Sequence, residues 1–175
     1  MDTFLEYLMK KKTTGKELLA KFGIIVLAIV VMFIVFTLLM SVPFLSSFAL
    51  LGAVAVVYFA YIFLRNFDLE YEYIFTNGEL DIDAIKGRKV RKRIASVSCK
   101  NIELMADISD ANYKAEFENQ SIMKKFDAVY DSSKGGIYGI IYSDMGETKM
   151  IKFQPPENLV ENMKKFNPRC IHKAQ

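Results

Sequence analysis

The sequence predicts an α+β membrane protein: an N-terminal two-helix transmembrane hairpin, then a β-rich cytoplasmic domain with a C-terminal helix. Three observations carry this reading. Two uncharged apolar runs, Phe22 to Met40 and Leu45 to Leu64, are separated only by Ser41-Val42-Pro43-Phe44. Beyond Arg65 the apolar pattern changes from continuous runs to alternation, the signature of half-buried strands. Between Pro155-Pro156 and Asn167-Pro168 it returns to helical spacing.

The apolar runs come first. At about 1.5 Å per residue, runs of roughly 19 and 20 residues match a hydrocarbon core of ~30 Å. Pro43 stops the first helix, having no N–H and disfavouring helical geometry at Val42, so the spans form a tight antiparallel pair. A cleaved signal peptide does not fit, because the first run is too long for an h-region and a second span follows at once. Lys10, Lys11, Lys12, Lys16 and Lys21 precede the pair and Arg65 follows it, which places both termini in the cytoplasm and the protein in the cell membrane as a multi-pass chain. Neither run contains an ionisable residue, which argues against a transporter or channel and for an anchor. Ala49, Gly52, Ala53 and Ala60 share a face of the second run, for packing on the first or for homo-oligomer contact.

Three divisions follow: a basic N-terminal segment (1–21), the hairpin (22–65) and a cytoplasmic β domain (66–175). Phe4, Leu5, Leu8 and Met9 make a helical stripe before the lysine run, read as a short helix in the headgroup region or a frayed terminus. Thr14 and Glu17 form a capping box, which starts the first long helix there and carries it to about Met40. In the β domain, Leu69, Tyr71, Tyr73 and Phe75 alternate with polar positions, Asn77-Gly78 supplies a type I′ turn, and Leu80, Ile82 and Ile85 belong to the next strand. A second turn at Lys86-Gly87-Arg88 leads to a strand with Val90, Ile94 and Val97 as apolar positions. Ile102 to Met105 is a fourth strand, 107–125 a polar loop with one helical turn at Tyr113 and Phe117, and Asp127 to Tyr130 a fifth strand. A hairpin follows from Ile137 to Tyr142 and Thr148 to Phe153, turning at Gly146. The last helix starts with a proline at its first helical position, has Leu159, Val160, Met163 and Phe166 along one face, and carries Lys164 and Lys165 in its final turn, where they complement its dipole.

The stretches Tyr73-Ile74-Phe75-Thr76-Asn77-Gly78-Glu79-Leu80, Gly87-Arg88-Lys89-Val90-Arg91-Lys92-Arg93-Ile94 and Phe153-Gln154-Pro155-Pro156 to Asn167-Pro168-Arg169 resemble a family of small two-span membrane proteins of Gram-positive anaerobes that carry a bacterial PH-like domain. The resemblance implies a PH-like barrel of about seven antiparallel strands capped by the C-terminal helix. It implies no activity, since a fold does not specify one.

The densest chemistry is a basic cluster, Lys86, Arg88, Lys89, Arg91, Lys92 and Arg93. Near an inner leaflet it would contact anionic lipid, helped by Lys10 to Lys12, with each cation contributing about 1 kcal/mol. The competing reading pairs it across the sheet with Glu79, Asp81 and Asp83. Residues 66–175 carry seventeen charges of each sign, which excludes bulk nucleic-acid binding. Cys99, Cys170 and His172 lack the spacing of a metal site or disulfide framework, Lys134-Gly135-Gly136 lacks phosphate-loop spacing, and Asp107, Asp110, Glu116 and Glu118 lack that of a calcium loop. No catalytic residue, metal or cofactor is therefore expected. The function that follows is a membrane-tethered interaction or scaffold module with lipid and an unidentified protein as partners, or alternatively an anionic-lipid or envelope-stress sensor working through the basic turn.

Overall fold

The computed structural model describes residues 3–119 and 121–173. The chain forms two compact units: Thr13–Leu69 make one, and the flanking chain, up to Lys12 and again from Glu70, makes the other.

In the helical unit, α1 (Gly15–Ser41) starts where the capping box places it. The Thr14 hydroxyl accepts the Glu17 N–H at 3.3 Å, and the Glu17 carboxylate accepts the Thr14 N–H at 3.0 Å. After Pro43 a 3₁₀ turn, Ser46–Phe48, leads into α2 (Ala49–Arg65). Both helical segments are long and apolar enough to cross a membrane. Side chains such as Leu27, Phe33, Leu50 and Phe59 stay exposed along them, unlike those of a soluble core helix. Gly52 faces α1: a Cβ there would lie 2.7 Å from Leu39 Cδ1 and 3.1 Å from Val35 Cγ1. This small residue thus serves the packing of the two helices on each other. Lys21 ties the helix ends, with its Nζ 4.0 Å from the Asp68 carboxylate and 5.9 Å from the centre of the Phe67 ring.

The β unit corrects the N-terminal expectation. Phe4–Lys10 form a strand, β1, neither helical nor frayed, with register running from Phe4↔Thr76 to Lys10↔Glu70 against β2 (Leu69–Thr76). The segment carries two periodicities at once. Leu5, Tyr7 and Met9 alternate as well as Phe4, Leu5, Leu8 and Met9 repeat helically, and the ladder offered by β2 decides between them. The helical hairpin is therefore an insert between two paired strands, and a boundary at residue 66 leaves β1 on its other side.

β3 (Glu79–Lys86) and β4 (Val90–Ser98) complete a sheet of order β1-β2-β3-β4. A second sheet contains β5 (Ile102–Asp107), β6 (Lys124–Ala128), β7 (Tyr138–Asp144) and β8 (Glu147–Phe153) in order β5-β7-β8-β6, with β6 parallel to β8. Left-handed pairs Asn77-Gly78 (φ 48° and 93°) and Met145-Gly146 (52° and 80°) make the expected turns.

In place of the expected closed barrel of about seven strands, the described residues form eight strands in two open sheets. The reason lies in the links. A 3₁₀ turn, Cys99–Asn101, swings the chain out of the ladder between β4 and β5, while beside β1 one bond, Lys12 N–H to Tyr130 C=O at 2.7 Å, stands where a ladder would close. The chain's own tail covers the edge of β5. Met105 N–H donates to Cys170 C=O at 2.7 Å, His172 N–H donates to Met105 C=O at 2.8 Å, and Ile171 is fully buried between them.

The one turn expected in the polar loop is α3 (Lys114–Phe117), where Phe117 packs over Gly139. The sheets enclose Tyr73, Phe75, Leu80, Ile82, Ile140, Ile151 and Phe153, and Leu159, Val160 and Met163 of α4 (Glu157–Phe166) close that core. Pro156 is the N-cap of α4, one place earlier than expected, and Phe166, 42% exposed, meets the edge of Phe75 with ring centres 5.6 Å apart. The Tyr73 hydroxyl spans the layers, donating to Ala128 C=O at 2.7 Å.

Replacing residues 13–68 by a short Asn/Gly turn should give a water-soluble domain with one cooperative urea transition. A fragment beginning at residue 66, lacking β1, should unfold at lower urea or without cooperativity. Equal transitions would show that β1 contributes nothing.

Candidate functional site

The basic cluster occupies the β3–β4 hairpin, and its geometry turns on one extra residue. Ile82 pairs with Ala95 but Asp83 pairs with Arg93, so Ile94 is a bulge with no partner. In a strand, one inserted residue reverses the facing of everything on one side of it. Ala95 and Val97 point into the core with Ile82 and Leu80, yet Arg93 and Arg91, also odd-numbered, lie on the outer face with Asp83. Lys92 and Val90 fall on the inner-face side, opposite Ala84 and Lys86, beyond the limit of the core. This corrects the expected apolar set: Val90 is 62% exposed, and Ile94 sits in the bulge. On β3 the buried position is Ala84, with Ile85 on the other face.

The six cations divide by residue type. Arg93 donates from Nε to Asp83 and lies 2.8 Å from Asp81 through Nη1. Arg91 Nη2 donates to Glu72 Oε1 at 2.8 Å, and Arg91 Nε lies 4.0 Å from Asp83. Arg88, at the turn, is 3.6 Å from Glu70. Lys86, Lys89 and Lys92 are exposed and have no acidic partner among the described residues. Cross-strand pairing thus takes the three arginines and leaves the three lysines. Arginine's planar fork suits carboxylates held at sheet spacing, whereas lysine remains a hydrated point charge. Glu79, expected among the pairing acids, lies opposite Ser98 at the far end of the hairpin. Sequence reading missed Glu70 and Glu72 as partners, although their i, i+2 spacing on the neighbouring strand signalled a shared face. Of the lysines thought to assist, Lys12 is engaged, 2.9 Å from Ser133 Oγ and 3.4 Å from Asp131.

Two of the acids are buried on a sheet face: Glu72 is 4% and Asp83 1% exposed. For Glu72 burial dominates and raises its pKa above the usual 4.5, Arg91 opposes this, and the neighbouring Glu6 on β1 adds to it. Its Oε2 lies 2.7 Å from Arg91 Nη2 yet receives no aligned N–H, so the pair is incompletely satisfied. Asp83 fixes Arg93 from within, and that hydrogen bond is the largest cause raising the arginine's pKa.

Other candidate chemistry has structural partners. Burial pushes the Cys99 thiol up to about 12, with the charge of Glu79 as a lesser cause, and both cysteines are free. His172 stacks on Tyr113 with ring centres 4.8 Å apart. Lys134 and Gly135 carbonyls accept from Gln154 Nε2 at 3.3 and 2.9 Å, which makes this segment a turn. Asp107 and Asp110 accept backbone N–H groups two residues on, at 2.8 and 2.9 Å. Among the described residues no group of three His, Cys, Asp or Glu is placed to hold a metal.

Two four-stranded sheets closed by an amphipathic C-terminal helix, with ionic pairs on the outer face of the first, define a PH-like domain as the class. The chain belongs to the bacterial PH-like domain family DUF6106, whose model matches residues 1–173. No curated protein and no solved structure matches it.

Arg93→Gln should cost about 2 kcal/mol in urea unfolding of the turn-linked domain. That is below the usual 3–5 for breaking a buried pair, because Arg93 is 50% exposed and Arg91 still faces Asp83. Lys89→Gln should change stability by less than about 0.5 kcal/mol. A second expectation concerns pH. A carboxyl whose pKa is raised by folding opposes folding once ionised, and this penalty develops as pH rises from its unfolded value through its folded one. The Tm of Glu72→Gln relative to wild type should therefore rise across that window and be flat above it. A difference that falls with increasing pH would reverse the assignment.

Proposed function

We propose that this protein is a multi-pass anchor of the cell membrane that presents a non-catalytic PH-like interaction module, with both termini, on the cytoplasmic face. The observation that carries the reading is the β1–β2 ladder across the helical insert. Strands pair only on one side of a bilayer, and two spans return a chain to the side it left. The lysines before α1 and Arg65 after α2 support the cytoplasmic side. The absence of a catalytic role is supported by what the reactive side chains do: Cys99 is sealed in the core and His172 stacks against Tyr113.

The surface offered to a partner is a strand edge. The β5 edge is covered by Cys170–His172, whereas β4 ends its sheet and, among the described residues, pairs with β3 alone. Strand addition by a protein partner is proposed at β4, since β1, the other outer strand of that sheet, is continued by Lys12, already bonded to Tyr130. Contact between Gly52 and α1 uses that small residue within the hairpin, which favours an anchor over helix-mediated self-association.

Reporter fusions at each terminus of the full chain test the topology. Both should fluoresce as cytoplasmic fusions of a green fluorescent protein, and alkaline phosphatase should stay inactive at either end. An active phosphatase at the C-terminus, or release of the protein by alkaline carbonate, would overturn the anchor. A crosslinking inventory of the same membranes should return a stoichiometric protein neighbour, and its absence would remove the scaffold role.

A further inference from the structure

The division of the basic cluster leaves one surface unexplained by the fold. Lys86 pairs across the hairpin with Val90, and Ala84 with Lys92, so Lys86, Val90 and Lys92 share the inner-face side of the sheet where the core has already ended. Lys89 completes the turn, its N–H donating to Lys86 C=O at 3.1 Å, with Gly87 and Arg88 both left-handed at φ 55° and 56°. Lys86 and Lys92 thus share a face with the exposed Val90, Lys89 stands beside it in the turn, and none of the three has an acidic partner among the described residues. Such a surface is costly to leave clustered, since the like charges repel and nothing on the sheet answers them. The arginines on the opposite face are already matched by Glu70, Glu72, Asp81 and Asp83 and need no further ligand.

In an antiparallel meander the β3–β4 turn lies at the same sheet end as the connection between β1 and β2. Here the Arg88–Glu70 ion pair at 3.6 Å fixes that neighbourhood, Glu70 being where the chain re-enters the β unit. The connection itself is the membrane hairpin. Only residues 66–69 separate Arg65, the last residue of α2, from Glu70, a span of at most roughly 18 Å of extended chain. On the anchor reading, so short a tether keeps this end of the sheet near the membrane surface.

We propose that Lys86, Lys89 and Lys92, with Val90 among them, form a contact site for anionic phospholipid headgroups. The arginines of the same run hold the hairpin and do not bind lipid. The ammonium groups engage the phosphates, and the valine enters the interface where a hydrated loop would not. This inference rests on the anchor reading for its geometry and adds the ligand of the domain.

The full-length protein, reconstituted in vesicles of phosphatidylcholine alone or mixed with phosphatidylglycerol, allows the test by amine acetylation read by mass spectrometry. Lys100, exposed past the far end of β4, is the internal reference. Lys86, Lys89 and Lys92 should be acetylated several-fold more slowly than Lys100 in the anionic vesicles and equally fast in the neutral ones. High salt should abolish the difference. Lys86→Gln with Lys92→Gln should remove most protection of Lys89, at about fivefold per charge lost. Arg88→Gln, at the exposed turn, should leave it intact. Equal rates in both vesicle types, or protection insensitive to the lysine substitutions, would overturn the site. Protection by inorganic phosphate in neutral vesicles would assign it to soluble anions and overturn lipid contact. Failure of the protein to co-float with either vesicle would refute the anchor instead, which keeps the two readings separable.

Discussion

The pairing of β1 with β2 governs this architecture, because it joins segments that the apolar helical hairpin separates. Without it, β2 would present a row of unpaired backbone N–H and C=O groups along an edge that also carries Tyr71, Tyr73 and Phe75 into the core. Backbone groups stripped of partners are costly wherever water is excluded. The ladder therefore acts twice: it finishes the sheet, and it holds the two ends of the hairpin together. Thr14 and Glu17 start the helix just two residues after Lys12, whose N–H is bonded to Tyr130 C=O at 2.7 Å.

A second constraint sorts the charges. Had β4 run without the Ile94 bulge, Arg91 and Arg93 would lie on the inner-face side with Ala95 and Val97, opposite Lys86 and Ala84 and away from the acids of the outer face. The extra residue sets them against Glu72, Asp81 and Asp83. Glu72 shows that this ionic face is not simply a gain in stability. Burial raises its pKa despite Arg91, so the pair sits near the balance between desolvation and attraction. What the face supplies is register, since a slip by one residue would strand two buried carboxylates without cations.

Much of this was legible in the residues. The capping box, the Pro43 break, the Asn77-Gly78 turn and the alternation of Tyr71, Tyr73 and Phe75 are local signals, and each is realised where it was read. β1 was not legible, because Phe4 to Lys10 fits two periods equally and the partner that selects one lies beyond the hairpin. The bulge was equally hidden. Val90, Ile94 and Val97 look like one apolar face only if the strand is continuous, and bulges carry no fixed residue signature outside glycine. For the site, opposite charges on adjoining strands pointed to pairing in general. Which cations pair followed from the bulge, and so could not be read in advance. The tail over β5 escaped because a single bridge, Met105↔Ile171, has no periodicity to announce it.

The order in which these contacts can form follows from their separation in sequence. β1 precedes both apolar runs and its partner follows them, so β1 waits unpaired while the helical hairpin is made. Its own composition suits that interval: Glu6 and Lys10 interrupt the apolar residues, and Phe4 and Leu8 end on the outer face, so no continuous hydrophobic edge is displayed. Once β2 is made, the ladder closes and β3 and β4 extend it through tight turns with little loop entropy to overcome. On the proposed anchor reading, failure of one span to insert would leave β1 and β2 on opposite sides of the bilayer and the sheet could not be completed. Folding of the PH-like domain would then be conditional on correct insertion of the helical hairpin, because the two helices are an insert between paired strands.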